Sequence, residues 1–229
     1  MIPLRDNIPS RRFPVVTLAL IAANVLAFIW ELNQGRYLEH ALLRFAVVPV
    51  RYTEPGFSSL FHTVEQSVPL FTSMFLHGGW VHLIGNMWTF WIFGDNVEDR
   101  LGHGKFLLFY LACGVVAALF HIFTNAHSVV PTIGASGAVA GVMGAYLILY
   151  PRAKVLTWLF VLVFYVPAWV MLGYWFVLQF LSGTATSIAP ASQRGPGVAF
   201  WAHIGGFIAG IVLIKIFPER AQRRRYATW

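Results

Sequence analysis

Six apolar stretches separated by short polar segments set the pattern of this chain. The first covers residues 13–32, with Pro14 tolerated in an opening helical turn. A long polar connection, 33–69, follows and carries Glu39, Arg44, Arg51, Glu54 and Glu65. Within it, residues 37–48 place apolar side chains at helical spacing, which predicts a helix lying in the membrane interface. The second stretch, 81–93, runs on through Asp95 to Arg100 toward the headgroups; the third is 106–124 and the fourth 135–150. The fifth is 155–181, where Pro167 predicts a kink. A Gly, Ser, Ala and Pro-rich loop, 182–197, leads to the sixth stretch, 198–217. No internal repeat and no soluble second domain is visible. The pattern predicts an all-α polytopic membrane protein: a six-helix domain over 13–217, an external loop over 33–69, a lid loop over 182–197, and polar tails at 1–12 and 218–229.

Composition agrees. Of the 229 residues 58% are hydrophobic and 11% are charged, against about 25% charged in soluble domains, and the mean hydropathy is +0.66. The chain lacks the polar surface a soluble protein needs. Its net charge of +7 is not a nucleic-acid signature, because the basic residues are scattered at the ends of apolar stretches. The single cysteine, Cys113, lies inside an apolar stretch, so no disulfide framework or cysteine metal site is expected. A cleaved signal peptide is not expected either, because no small-residue cleavage site follows the first span.

Six spans put both termini on one side. With the termini inside, 12 Lys and Arg fall inside and 4 (Arg36, Arg44, Arg51 and Arg194) fall outside. An excess of basic residues marks the cytoplasmic side, which predicts a multi-pass cell-membrane protein with both termini cytoplasmic. The second, fourth and sixth spans then all run inward.

The fourth span reads ASGAVAGVMGAYLILY, and two of its adjacent ridges carry almost no side chain: Gly137 and Gly141, and Ser136, Ala140 and Gly144. Small residues at this spacing admit a close neighbouring helix. The sixth span has a matching ridge in Ala202, Gly206 and Gly210, next to His203. Ser136 lies 14 residues before Tyr150, and His203 lies 14 residues before Phe217. Both side chains therefore stand ~21 Å above the inner boundary, or ~9 Å below the outer surface of a ~30 Å core. Matched depth and two bare ridges make a Ser136–His203 contact plausible. Taken singly, each residue has a simpler alternative, the serine bonding back along its helix and the histidine meeting a backbone carbonyl.

An imidazole beside a hydroxyl makes it a competent nucleophile by taking its proton during attack. No Asp or Glu falls in the fourth or sixth span, so the expectation is a dyad, with the other nitrogen of His203 on a neutral partner. Acyl transfer also needs donors for the developing oxyanion. His82 and Asn86, one helical turn apart in the second span, and the Ser136 N–H fit that need; His82 and Asn86 could instead line a wet mouth. The polar side chains at the outer ends of three parallel spans imply a water-filled cavity open to the outside, which the loop 182–197 would cover. Asp95, Glu98, Asp99 and Arg100 read as an inner-face salt-bridge cluster. His40, His62, His77, His103, His121 and His127 read as interfacial or solvated, with His77 helping to shape the mouth, and Cys113 as core.

Three other readings use parts of the same set. A membrane cytochrome would ligate haem through His82, His203 or His121; a transporter would place a site at the midplane; an inert relative would only bind membrane helices. Ser136 has no use in the first, and the polar groups lie toward one surface, against the second.

GASG at 134–137, HLIGN at 82–86 and AHIGGFIAG at 202–210 together resemble the rhomboid family of intramembrane serine proteases, and the likeness extends over nearly the whole chain. The resemblance implies a six-helix rhomboid bundle and hydrolysis of a peptide bond within or beside a substrate's transmembrane helix. It implies Ser136 as nucleophile, His203 as general base and then acid, and His82, Asn86, Gly134 and the Ser136 N–H around the oxyanion. It implies no cofactor and no metal; the partners are transmembrane segments of membrane proteins and the bilayer, with no nucleic acid. Some family members carry, one turn after the serine, a tyrosine that stacks on the catalytic histidine. That position is Ala140 here, which leaves open how His203 is held.

Overall fold

The computed structural model describes residues 1–60, 63–189 and 198–217. In chain order the elements are β1 (Ile2–Arg5), α1 (Val15–Leu32), α2 (Leu38–Phe45), α3 (Val50–Thr53), α4 (Pro55–Ser58), α5 (Thr63–Thr72), α6 (Trp80–Leu101), α7 (His103–Thr124), α8 (Ser136–Leu149), β2 (Lys154–Leu159), β3 (Leu162–Pro167), α9 (Ala168–Ile188) and α10 (Phe200–Ile216). Six long helices, α1, α6, α7, α8, α9 and α10, form the membrane bundle; α2 to α5 lie in the connection after α1.

Three of the six (α1, α7 and α9) are long and apolar enough to cross a membrane by length and composition. The 22-residue α6 carries Asp95, Glu98, Asp99 and Arg100 in its last turns. The other two are short: α8 has 14 residues and α10 has 17. At 1.5 Å per residue α8 covers ~21 Å of a ~30 Å core, so it can only span with the help of the irregular segment before it. Lipid-exposed irregular backbone is not tolerated at that depth, and α8 is accordingly the central helix, buried from Gly137 to Tyr146.

The segment leading into α8 is fastened from both sides. Val47 and Thr132 exchange backbone hydrogen bonds of 3.1 and 2.7 Å, Val50 N–H donates to Ser128, and Gly134 N–H donates to Ser73. His121 of α7, buried, adds a contact of 2.9 Å from its Nε2 to Thr132 Oγ1.

The bundle end that carries the N-terminus departs from the sequence expectation. Residues 155–167, read as the start of the fifth span, lie instead in an antiparallel hairpin, β2–β3, and β1 pairs with β2 to complete a three-stranded sheet. The reason is local. Val155, Thr157, Val161, Val163 and Val166 favour extended backbone, and Pro167 biases the residue before it the same way. The two-residue turn Phe160–Val161 has Phe160 at φ +55°, the left-handed value that primed hairpin turns require. Pro167 is therefore the residue from which α9 departs, and not a kink within a span. At the far end, residues 182–188, read as loop, continue α9: Thr184, Thr186 and Ser187 satisfy their hydroxyls on carbonyls four residues back. Residues 190–197 of the expected lid, and the tail 218–229, lie outside the described residues.

The acidic group at the end of α6, read as an inner-face salt-bridge cluster, also holds α1 and the N-terminal tail. Glu98, 1% exposed, accepts from Val16 N–H at 2.8 Å and from Thr17 N–H and Oγ1–H at 2.7 Å each. It thereby caps the orphan donors of the first turn of α1, and His103 Nδ1 meets its other face at 2.6 Å. Beside it, Asp6 accepts from Asn96 Nδ2 at 3.0 Å and from the Tyr146 hydroxyl. Ser10 Oγ–H donates to Asp95 at 2.6 Å. The tail 1–12 is thus bound to the bundle through these side chains and through β1.

Candidate active site

The ridges of small residues on α8 and α10 face each other. A Cβ placed on Gly206 would stand 2.0 Å from the Gly137 carbonyl oxygen, one on Gly210 1.9 Å from that of Gly141, and one on Gly144 2.2 Å from that of Phe207. The two backbones are therefore in direct contact along about two turns. Ser136 opens α8 immediately before Gly137, and His203 lies one turn before Gly206. A cavity of about 30 Å³ at this end is bordered by Ser73, Thr132, Gly134, Ser136, Ala199 and Ala202, room for about one water. Among the described residues, no hydrogen bond joins Ser136 Oγ to His203.

His203 is 9% exposed. Its Nδ1 lies 2.8 Å from Gln179 Oε1 of α9. An amide oxygen only accepts, so this contact fits the tautomer with the proton on Nδ1 and the lone pair on Nε2. Trp175, one turn before Gln179, sets its ring against the imidazole at 5.8 Å between centroids and 32° between planes. The neutral partner expected for His203 is thus Gln179, which the sequence reading did not single out; a lone glutamine in an apolar helix gives no sign of its partner.

His82 and Asn86 lie one turn apart on α6, and His82 reaches Gly134. Gly78 N–H donates to His82 Nδ1 at 3.3 Å, which leaves the His82 proton on Nε2. That nitrogen borders Gly134, where a Cβ would stand 2.8 Å from it and 3.6 Å from Ser136 Oγ. Gly134 also has φ +126°, so both its backbone and its surroundings require glycine. Asn86 Nδ2 is buried and, among the described residues, has no acceptor. A buried donor without a partner is rare and calls for one.

Two histidines read as interfacial or solvated are buried instead. His121 braces Thr132 as described. His77 is 3% exposed, and its N–H donates to Glu31 at 2.9 Å. Its ring lies 5.1 Å from that of His82. Burial, with the neighbouring His82 second, lowers the pKa of His77 to about 4, so it is neutral at physiological pH. His40 and His127 are exposed, His127 pairing with Glu54 at 2.6 Å; His62 lies outside the described residues. Cys113 is buried against Gly141. Among the described residues no group of three or more His, Cys, Asp and Glu could hold a metal ion.

A family model described as a rhomboid domain matches residues 64–220. The chain belongs to the rhomboid family. It is 29% identical over 219 residues to Rhomboid protein 1, mitochondrial, of Saccharomyces cerevisiae, covering 91% of this chain and 56% of that protein. It is 32% identical over 135 residues to the rhomboid protease GluP of Bacillus subtilis, covering 58% and 24%. It is 25% identical over 217 residues to the human presenilin-associated rhomboid-like protein, mitochondrial, covering 90% and 49%. This rhomboid thus spans about half of the yeast and human relatives and about a quarter of GluP. The matched region takes in α6 to α10 and the segment before α8, and so every residue of the candidate site.

Proposed function

We propose that this rhomboid is a serine endopeptidase that cleaves peptide bonds within or beside transmembrane helices of other membrane proteins. Ser136 Oγ attacks the scissile carbonyl while His203 Nε2 takes its proton. The tetrahedral oxyanion receives hydrogen bonds from the Ser136 N–H, from Asn86 Nδ2 and from His82 Nε2–H. Collapse expels the amine, which leaves with the proton from His203. Water, deprotonated by the same imidazole, then hydrolyses the acyl-enzyme and restores the serine. Gly134 keeps the space beside Ser136 open.

The observation that carries this reading is the backbone contact of α8 with α10 through Gly137, Gly141, Gly144, Gly206 and Gly210, which brings the start of α8 beside the turn bearing His203. Two further features support it: the unpartnered donor of Asn86 and the proton position on His82. The name of one relative, a rhomboid protease, points the same way. The substrates are membrane-embedded helices, because the proposed nucleophile lies at membrane depth. The termini lie on the side rich in Lys and Arg. The yeast and human relatives are named as mitochondrial, and the charge rule applies in either membrane, so the proposal extends to a multi-pass protein with its termini on the basic side.

The test is cleavage of a transmembrane substrate in liposomes by the full chain, by Ser136→Ala and by His203→Ala. The wild type is expected to cut and both variants to fail while retaining the wild-type circular dichroism. Cleavage by Ser136→Ala at the wild-type rate would refute the proposal.

A further inference from the structure

We infer that Gln179 is a positioning residue for His203, and that α9 supplies, through Gln179 and Trp175, the orientation that Ala140 leaves unprovided. The inference rests on the protease reading given above.

Ala140 is fully buried, so its position one turn after Ser136 offers the imidazole neither a ring nor room for one. The ring nevertheless needs two constraints to serve as a base: a fixed plane, and a fixed tautomer with the proton away from the serine. Both come from one face of one helix. Trp175 and Gln179 are four residues apart and so project together from α9. Trp175 lies against the imidazole at 5.8 Å, and also against Phe207 at 5.8 Å, one turn further along α10. Phe207 is held in turn by Phe176 at 5.1 Å, so the ring that faces His203 is itself braced. Gln179 Oε1 then accepts from Nδ1–H at 2.8 Å. Among the described residues Nδ1 has no other partner. Without Gln179 the two tautomers compete, and the one protonated at Nε2 cannot take a proton from Ser136.

The face is fitted to α10 along its length. A Cβ at Gly183 would stand 3.2 Å from Phe200 Cβ and 3.3 Å from the Trp201 ring, which holds the outer part of α9 near the start of α10. The opposite face, with Trp169, Val177 and Leu181, is exposed and carries no polar group toward the site. Gln179 is thus the polar residue of α9 that meets the imidazole, and its amide oxygen takes the place that a carboxylate holds in a triad.

Three variants of the full chain test the assignment: Gln179→Leu removes the acceptor, Gln179→Glu keeps it, and Trp175→Leu removes the ring. Gln179→Leu should lower kcat on a transmembrane substrate on the order of 10²-fold while leaving KM within about threefold. Gln179→Glu should stay within about tenfold of wild type. Trp175→Leu should fall between them. The second readout is the ¹⁵N spectrum of histidine-labelled protein in detergent, with His203 assigned by its loss in His203→Ala. Wild type should show His203 protonated at Nδ1, and Gln179→Leu should show a mixture of tautomers; a purely structural role for Gln179 would not move this signal.

Gln179→Leu with wild-type kcat would overturn the inference. So would a wild-type spectrum with His203 protonated at Nε2, which needs no variant to fold. Either result leaves the protease reading standing as long as Ser136→Ala is inactive; an active Ser136→Ala removes that reading itself.

Discussion

Gly206 of α10 and Gly137 of α8 touch backbone to backbone: a single added methyl on Gly206 would lie 2.0 Å from the Gly137 carbonyl oxygen. No side-chain rotation relieves such an overlap, because the obstacle is main chain. Gly206→Ala and Gly210→Ala must therefore push α10 away from α8. Each should destabilise the bundle by at least ~1–3 kcal/mol and abolish cleavage, by moving His203 away from Ser136. Gly85→Ala is the control. Gly85 lies within α6 with nothing within 4 Å of an added Cβ, so alanine should be neutral or stabilising by up to ~1 kcal/mol. Unfolding midpoints in detergent separate the two cases.

Asn86 and the oxyanion. The unpartnered Nδ2 of Asn86 is expected to find its acceptor in the transition state. Asn86→Ala should then lower kcat by ~10²–10³-fold with little change in KM, because the bond is absent in the ground state. Steady-state kinetics on a transmembrane substrate give the answer. A raised KM with unchanged kcat would assign Asn86 to substrate binding instead.

The fold and the site were legible in the sequence to different degrees. The bare ridges of α8 and α10 are periodic, so their meeting could be read from spacing alone, and the proposed pairing of Ser136 with His203 is built on it. The hairpin at 154–167 could not, because in a chain this apolar a strand of Val, Phe, Leu and Tyr looks like part of a span. Only the β-branched residues and Pro167 hinted at it. Glu98 was visible as a charge, but its use as a cap for α1 depends on a partner 81 residues away. Gln179 was hidden for the same reason: a polar side chain in a membrane helix announces a partner without naming it.

The attachment of the N-terminal segment should depend on pH. Burial is the largest influence on the Asp6 carboxyl and, opposed by the bond from Tyr146, raises its pKa from 3.8 to about 6. Between these values the folded protein binds more protons at Asp6 than the unfolded chain, so this group's contribution to stability falls as pH rises from about 4 to 6. Asp6→Asn removes that loss. The difference in melting temperature, variant minus wild type, should therefore increase across this window and level off above it. A difference that stays flat or decreases with pH would contradict the assignment. His77, whose folded pKa is lowered, contributes in the opposite direction in both proteins and cancels in the difference.

Substrate choice follows from the need for an extended strand at Ser136. Carbonyls within a stable helix are already hydrogen-bonded, so helices weakened by Gly, Pro or small polar residues near their outer end should be cut fastest. Replacing those residues with Leu across a panel of substrates should slow cleavage. Equal rates throughout would show that local unwinding does not limit the reaction.

The central claim is that the Ser136 hydroxyl is made nucleophilic by the imidazole of His203. A fluorophosphonate reacted with the purified full chain, followed by peptide mass analysis, tests it without any choice of substrate. The account predicts one adduct, on Ser136, absent in Ser136→Ala and strongly slowed in His203→Ala. An adduct on another residue, or labelling of Ser136 at the wild-type rate without His203, would contradict it.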